Sequence, residues 1–220
     1  MRRLNSGLDH MMADIDQQFA LTAHETGLPA LSDRVREALE ATPRDHFTPE
    51  PVKAMAYADH PQPIGHGQTI SQPFIVALMT ELLAVQSSDT ILEIGTGSGY
   101  QAAVLNSLGA TVYSVEIIPE LARRATTLLA RLGCHRVRVV MGNGAQGYAA
   151  AAPFDKIIIT AAAAKVPEAL CEQLRPGGLI VAPLGPVSGP QQLSVLRKSQ
   201  QGAFTTEPIL AVNFVPFTHC

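Results

Sequence analysis

Residues 92–105 read LEIGTGSGYQAAVL, three alternating glycines set between an apolar run and a stretch of helix-forming residues. A GxGxG that directly follows a strand and opens a helix is the setting in which such a motif binds a ligand. Gly95, Gly97 and Gly99 permit a tight turn and a close backbone approach. A ligand can then lie against the carboxyl end of the strand and the N-terminus of the helix.

Working outward, the chain alternates β-branched runs with helical segments: TILEIGT at 90–96, YQAAVLNSL, TVYSVEI at 111–117, then PELARRATTLLARL. It continues with VRVVMGN at 137–143, FDKIIIT at 154–160, PEALCEQL and GLIVAPL at 178–184. This rhythm predicts βαβ units and five parallel strands. Beyond Gly185 the helices stop, and QLSVLRK and ILAVNFVPF, joined by SQQGAFTTEP, predict an antiparallel pair at a sheet edge. The expected fold class is α/β, a Rossmann-like doubly wound and mostly parallel sheet ending in an antiparallel hairpin. That is the architecture of the class I methyltransferases, which use S-adenosylmethionine.

Upstream, Leu31, Val35, Ala38 and Leu39 recur at helical spacing, with Ser32 as N-cap and Pro43 as a stop. Prolines and glycines crowd residues 43–73, too many for long regular structure. This region reads as an ordered loop held to the core by Phe47, Met55, Tyr57 and Ile64. Within it, GHGQTISQP at 65–73 places Ser71 where a helix is about to begin. Such a serine either caps the helix or holds a substrate. Pro73 suits the first helical position, which makes Gln72 the N-cap and leaves the Ser71 hydroxyl free.

At 220 residues and 23.4 kDa, the chain suits a single domain spanning 1–220. Its hydrophobic fraction of 46% and charged fraction of 16% are those of a globular protein. A net charge of −3 and the lack of any basic run argue against nucleic acid as a partner. Cys134, Cys171 and Cys220 form no CxxC, so neither a disulfide framework nor a zinc site is indicated, and a reducing cytoplasmic setting is expected. Arg2 and Arg3 resemble the start of a signal peptide, but Asn5, Ser6, Asp9, His10 and Asp14 interrupt the apolar core that should follow. Stretches such as IIITAAAA at 157–164 fall short of the ~20 residues that span a bilayer, so no membrane contact is expected.

Two ligand classes fit a glycine loop of this kind. Dinucleotide folds use GxGxxG with backbone N–H groups facing a pyrophosphate, and here Tyr100 stands where the last small residue belongs. Glu93 precedes the first glycine, and a carboxylate near the loop suits a ligand carrying an ammonium and a sulfonium. Glu116, 21 residues past Gly95, ends the second strand where a carboxylate accepts from both ribose hydroxyls. A solvated strand-end charge is its plainer reading. Asn143, between Gly142 and Gly144, falls where an adenine should lie, although an Asn between glycines is also ordinary turn chemistry.

With these residues in place the chain resembles the protein-L-isoaspartate O-methyltransferases from about Val35 to Thr218. The likeness rests on AYADHPQPIGHGQTISQPFIVALMTELL, LEIGTGSGYQAAVL, VYSVEIIPELA, APFDKIIITAAAAKVPEAL and LRPGGLIVAPLG, in the family's order. It implies methyl esterification of the α-carboxylate of L-isoaspartyl residues in damaged proteins, followed by closure to a succinimide and partial return to aspartate. It also implies S-adenosylmethionine as cofactor, no metal, a monomer, and isoaspartyl peptides and proteins as partners. By the motif TISQP the family's active-site serine falls on Ser71. Cofactor contacts fall on Ile70, Gln72, Glu93, Gly95, Thr96, Gly97, Ser98, Glu116, Asn143, Gly144 and Thr218, and substrate contacts on His66 and Ser71. Residues 1–73 would then form the substrate side and 74–220 the cofactor-binding core.

The nucleophile so implied is a carboxylate with a pKa of ~3.5, ionised at neutral pH, so no general base is required and His66 stays outside the catalytic set. Two departures stand out. The family commonly reads GDG where this chain reads GNG, which predicts cofactor binding weakened on the order of 1 kcal/mol, with the amide oxygen of Asn143 still accepting. The chain also stops at Cys220, two residues past Thr218, where some relatives continue. Alternative readings keep the fold but change the role: a methyltransferase that esterifies aspartate in one dedicated peptide, or a non-catalytic binder of damaged chains.

Overall fold

A computed structural model describes residues 6–186 and 189–218; Arg2, Arg3, Asn5 and Cys220 lie outside the described residues. The chain opens with helix α1 (Ser6–Thr26), which buries Met11, Met12, Ile15 and Phe19. Helix α2 (Asp33–Glu40) is capped as its sequence predicts, the Ser32 hydroxyl accepting the Val35 N–H at 3.3 Å. Helix α3 (Pro73–Leu83) begins with Pro73 at its first position and Gln72 as N-cap, and it stops at Ala84, whose φ is 48°.

Between α2 and α3 the breaker-rich stretch forms two short 3₁₀ turns and a hairpin, β1 (Gln62–Gly65) and β2 (Gln68–Ile70). Gly65, His66 and Gly67 all have positive φ, so the residues that look like breakers are the turn of a hairpin that the sequence reading leaves as loop. Phe47 and Ile64 are buried as expected of anchors. Met55 is 49% exposed and anchors nothing, because its 3₁₀ turn buries no residue.

The remaining strands are β3 (Thr90–Ile94), β4 (Thr111–Glu116), β5 (Val137–Met141), β6 (Phe154–Ile159), β7 (Leu174–Leu184), β8 (Gln191–Lys198) and β9 (Phe204–Val212). They form one sheet in the order β5-β4-β3-β6-β7-β8-β9, parallel through β7 and antiparallel for the last two strands. Helices α4 (Tyr100–Ser107), α5 (Pro119–Arg131) and α6 (Glu168–Gln173) make the crossovers, and apolar clusters cover both faces. β3 to β6 end one or two residues short of the ranges read from sequence, and two starts differ more. β7 starts at Leu174, pairing with Phe154 before a register shift, and β9 starts at Phe204, with exposed Thr205, Thr206 and Glu207 forming an edge that hydropathy alone reads as loop. After Val212 the chain leaves the sheet and returns over it, with Ala162 donating to Val215 and Phe217 donating back to Ala162.

The chain enters the sheet at β3, builds β4 and β5 on one side, then crosses to β6 on the other. The carboxyl ends of β3 and β6 therefore diverge at a topological switch point, where open α/β sheets hold ligands. Among the described residues no helix is long and apolar enough to cross a membrane, and no cluster of His, Cys, Asp and Glu could hold a metal.

Candidate active site

The glycine loop sits at that switch point and is held from below. Gly95 donates to the Val115 carbonyl at 2.9 Å, and a Cβ on Gly95 would stand 2.5 Å from the Thr160 hydroxyl, so only glycine fits. Glu116 secures the next turn, accepting the Gly97 N–H at 2.8 Å and the Ile118 N–H at 2.9 Å. Ser98 accepts the Tyr100 N–H at 3.2 Å. Under the loop, Thr96 and Ser114 share a hydrogen bond of 2.5 Å, and Ser114 donates to Glu93. Burial pushes the Glu93 carboxyl up to about 8, opposed by the Ser114 bond and reinforced by the charge of Glu116.

A cleft opens above this loop. Ile70, Ser71, Gly95, Thr96, Gly97, Ser98, Glu116, Gly144 and Thr218 all line it, which brings together nine of the residues singled out from sequence. Gly144 closes one end against β3, since a Cβ there would stand 2.4 Å from Ile94 and 3.3 Å from the Phe217 ring. Among the described residues the cleft lining holds one charged side chain, Glu116, and no Lys, Arg or His. That donor set suits a ligand with a diol and a positive centre. A pyrophosphate would meet a carboxylate and no cation.

Four expected residues lie elsewhere. Glu93 is wholly buried and points to the face of β3 opposite Ile94, so the carboxylate offered to the cleft is that of Glu116. Gln72 turns away and donates to Asp59 at 2.8 Å. Asn143 caps a 3₁₀ turn, its side-chain oxygen accepting the Ala145 N–H at 2.9 Å. That bond holds the amide oxygen on the backbone with one lone pair to spare, and no hydrogen bond engages the NH₂ donor among the described residues. His66 sits exposed at the hairpin turn, outside the cleft lining.

A second cavity, a groove, meets the cleft at Ser71. Gln18 and Thr22 from α1, Gln72, Phe74 and Ile75 from α3, and Leu210 to Val215 line it, so it draws on both parts of the chain. Thr69, Ser71, Thr160 and Val215 belong to both cavities and frame a passage between them. No hydrogen bond engages the Ser71 hydroxyl among the described residues, and the first turn of α3 is served from a distance: Asp59 accepts the Phe74 N–H at 3.0 Å. Thr160, on the wall of both cavities, and Asp59, which holds Gln72 and the first turn of α3 beside Ser71, are positions that sequence reading does not single out. Thr160 carries a signal, being the residue that follows a parallel strand at its carboxyl end; Asp59 carries none.

Comparison with known proteins bears on the family and the fold. The family model described as protein-L-isoaspartate(D-aspartate) O-methyltransferase matches residues 20–220. Protein-L-isoaspartate O-methyltransferase 2 of Syntrophobacter fumaroxidans is 48% identical over 208 residues, covering 94% of this chain and 84% of that protein. Protein-L-isoaspartate O-methyltransferase 2 of a Polaromonas species is 46% identical over 208 residues, covering 94% and 99%. Among solved structures, a protein-L-isoaspartate O-methyltransferase matches with a TM-score of 0.82 at 25% identity, covering 96% of this chain and 66% of that one. A Plasmodium falciparum chain assigned to the same family and solved with S-adenosyl-L-homocysteine shares the fold, with a TM-score of 0.79 at 21% identity over 95% of this chain and 97% of that one.

Proposed function

This chain belongs to the protein-L-isoaspartate(D-aspartate) O-methyltransferase family, and on that premise we propose that Ser71 seats the substrate carboxylate at the passage between cleft and groove. The activity is S-adenosylmethionine-dependent methyl esterification of the α-carboxylate of L-isoaspartyl residues in damaged peptides and proteins, which initiates repair through a succinimide. One observation carries the assignment to Ser71: its hydroxyl is an unengaged donor half-buried on the wall shared by the two cavities, whereas Thr69, whose hydroxyl is also unengaged among the described residues, is exposed.

S-adenosylmethionine, when bound, supplies an electrophilic methyl group on a sulfonium. Gly95 to Ser98, Glu116, Gly144, Ile70 and Thr218 would hold it in the cleft. Glu116 keeps lone pairs beyond those given to Gly97 and Ile118, enough to accept from a ribose diol. Ser71 donates one hydrogen bond to the incoming carboxylate, which orients it and leaves its charge intact for attack. The carboxylate arrives ionised, so the residues at the passage need only position it.

The groove suits an extended peptide, with Gln18 on one wall and Leu210 and Ala211 on the other. We assign the residues before α3 chiefly to the substrate side and the β3–β9 sheet chiefly to the cofactor. A cytoplasmic monomer that does not bind nucleic acid accords with the free thiols of Cys134 and Cys171 and the net charge of −3. Methyl transfer from labelled S-adenosylmethionine to paired peptides, identical except for L-isoaspartate or L-aspartate at one position, tests the reading. Transfer to the isoaspartyl member alone is expected. Transfer to the aspartyl member, or to neither, would refute it.

A further inference from the structure

Thr160 follows β6 and faces both cavities. Its hydroxyl oxygen lies 2.7 Å from the Gly95 carbonyl oxygen and 3.0 Å from that of Ile94. A threonine hydroxyl has one hydrogen to give. The Ile94 carbonyl already receives the Thr160 N–H at 2.9 Å, so the shorter contact to Gly95 takes the hydroxyl hydrogen. Whichever carbonyl receives it, the donor is spent on backbone, and Thr160 has only lone pairs to present to the passage. Ser71 is the converse, with its hydrogen unengaged among the described residues. The passage thus has a free donor on one side and a fixed acceptor on the other.

The geometry points to Thr160 as the residue that recognises positive charge on the sulfur of the methyl donor. Carbons bonded to a sulfonium carry acidified C–H groups, and an oxygen that can only accept makes C–H···O contacts with them. The same lone pairs repel a carboxylate and turn it toward Ser71. S-adenosylhomocysteine, the demethylated product, has a neutral thioether and forgoes this contact, so Thr160 favours the charged donor over the spent product and assists its replacement. The inference rests on the S-adenosylmethionine reading and adds to it a named discriminator between donor and product.

Thr160 also pins the Gly95 turn, so loss of its hydroxyl will loosen the loop as well. The two effects separate because donor and product make the same loop contacts and differ in one methyl group and one charge. Dissociation constants for S-adenosylmethionine and S-adenosylhomocysteine are therefore to be measured by calorimetry on wild type, Thr160→Ser, Thr160→Val and Thr160→Ala. Thr160→Val is expected to shift the ratio against S-adenosylmethionine by about five-fold, with Thr160→Ser holding the wild-type ratio. Thr160→Ala gives the same comparison if the valine variant does not fold. Equal weakening of both ligands would overturn the inference and leave the cofactor reading intact. Failure of the wild-type protein to bind either ligand would overturn both.

Discussion

The carboxylate of Asp59 accepts the backbone N–H of Phe74 at 3.0 Å, capping α3 in place of its N-cap residue Gln72, whose own side chain makes no cap bond. Its other oxygen takes the Gln72 amide at 2.8 Å, so one side chain from the preceding loop both caps the helix and fixes the residue next to the serine. Ser71, one residue before the N-cap, takes no part in this capping and keeps its hydroxyl for the passage.

Asp59→Ala is accordingly expected to destabilise the fold by about 1–2 kcal/mol, the usual cost of a lost cap. Turnover of isoaspartyl peptide should fall further than the affinity for S-adenosylmethionine, since the glycine loop is untouched. Urea denaturation together with calorimetry checks both halves. A variant of wild-type stability with unchanged turnover would show that the cap comes from elsewhere.

Glu93 gives a pH prediction. Its carboxyl, raised in the fold from about 4.5 to about 8 by burial, is favoured in its protonated form. The associated stability is fully present below about pH 4.5 and is lost progressively as pH rises toward about 8, because the unfolded chain releases that proton first. Glu93→Gln, which cannot ionise, should escape this loss, and its stability relative to wild type should grow across that window. Parallel stability profiles for the two proteins would contradict the raised value.

Asn143→Asp tests the turn at the far end of the cleft. The aspartate keeps an oxygen for Ala145 and exposes a second acceptor where the asparagine exposes a donor. Tighter binding of S-adenosylmethionine is expected, by on the order of 1 kcal/mol or about five-fold. An unchanged or weaker dissociation constant would remove Asn143 from the account.

Gly144→Ala places a methyl 2.4 Å from the Ile94 side chain, on a strand that has little room to move. We expect a loss of about 1–3 kcal/mol in stability from overpacking, and at least about ten-fold weaker cofactor binding. Thermal melts with and without S-adenosylmethionine would register both. A normal ligand-induced shift in the variant would mean that the cleft ends elsewhere.

What was legible in the sequence was local. The glycine loop, the Ser32 cap, the Pro73 start of α3 and the alternation of β3 to β6 each depend on residues a few positions apart, and each stands where its pattern put it. The hairpin of β1 and β2 was hidden because three consecutive positive-φ residues, Gly65, His66 and Gly67, read as breakers when taken singly. Asp59 was hidden because its partner lies fifteen residues on. The burial of Glu93 is not legible in the sequence, because a carboxylate beside a glycine loop looks the same whether it faces the cleft or the core. The capping bond of Asn143 to Ala145 is not legible in the sequence, because only the fold decides which end of an amide the backbone claims.

The central claim is that Ser71 seats the substrate carboxylate and has no structural duty of its own. Ser71→Ala, assayed with an isoaspartyl peptide while the dissociation constant for S-adenosylmethionine is measured on the same preparation, tests it most directly. The account predicts a fall in turnover of about ten- to hundred-fold, the worth of one hydrogen bond to a charged group, with cofactor affinity and thermal stability unchanged. Wild-type turnover in the alanine variant, or a loss of stability that matches the loss of activity, would contradict it.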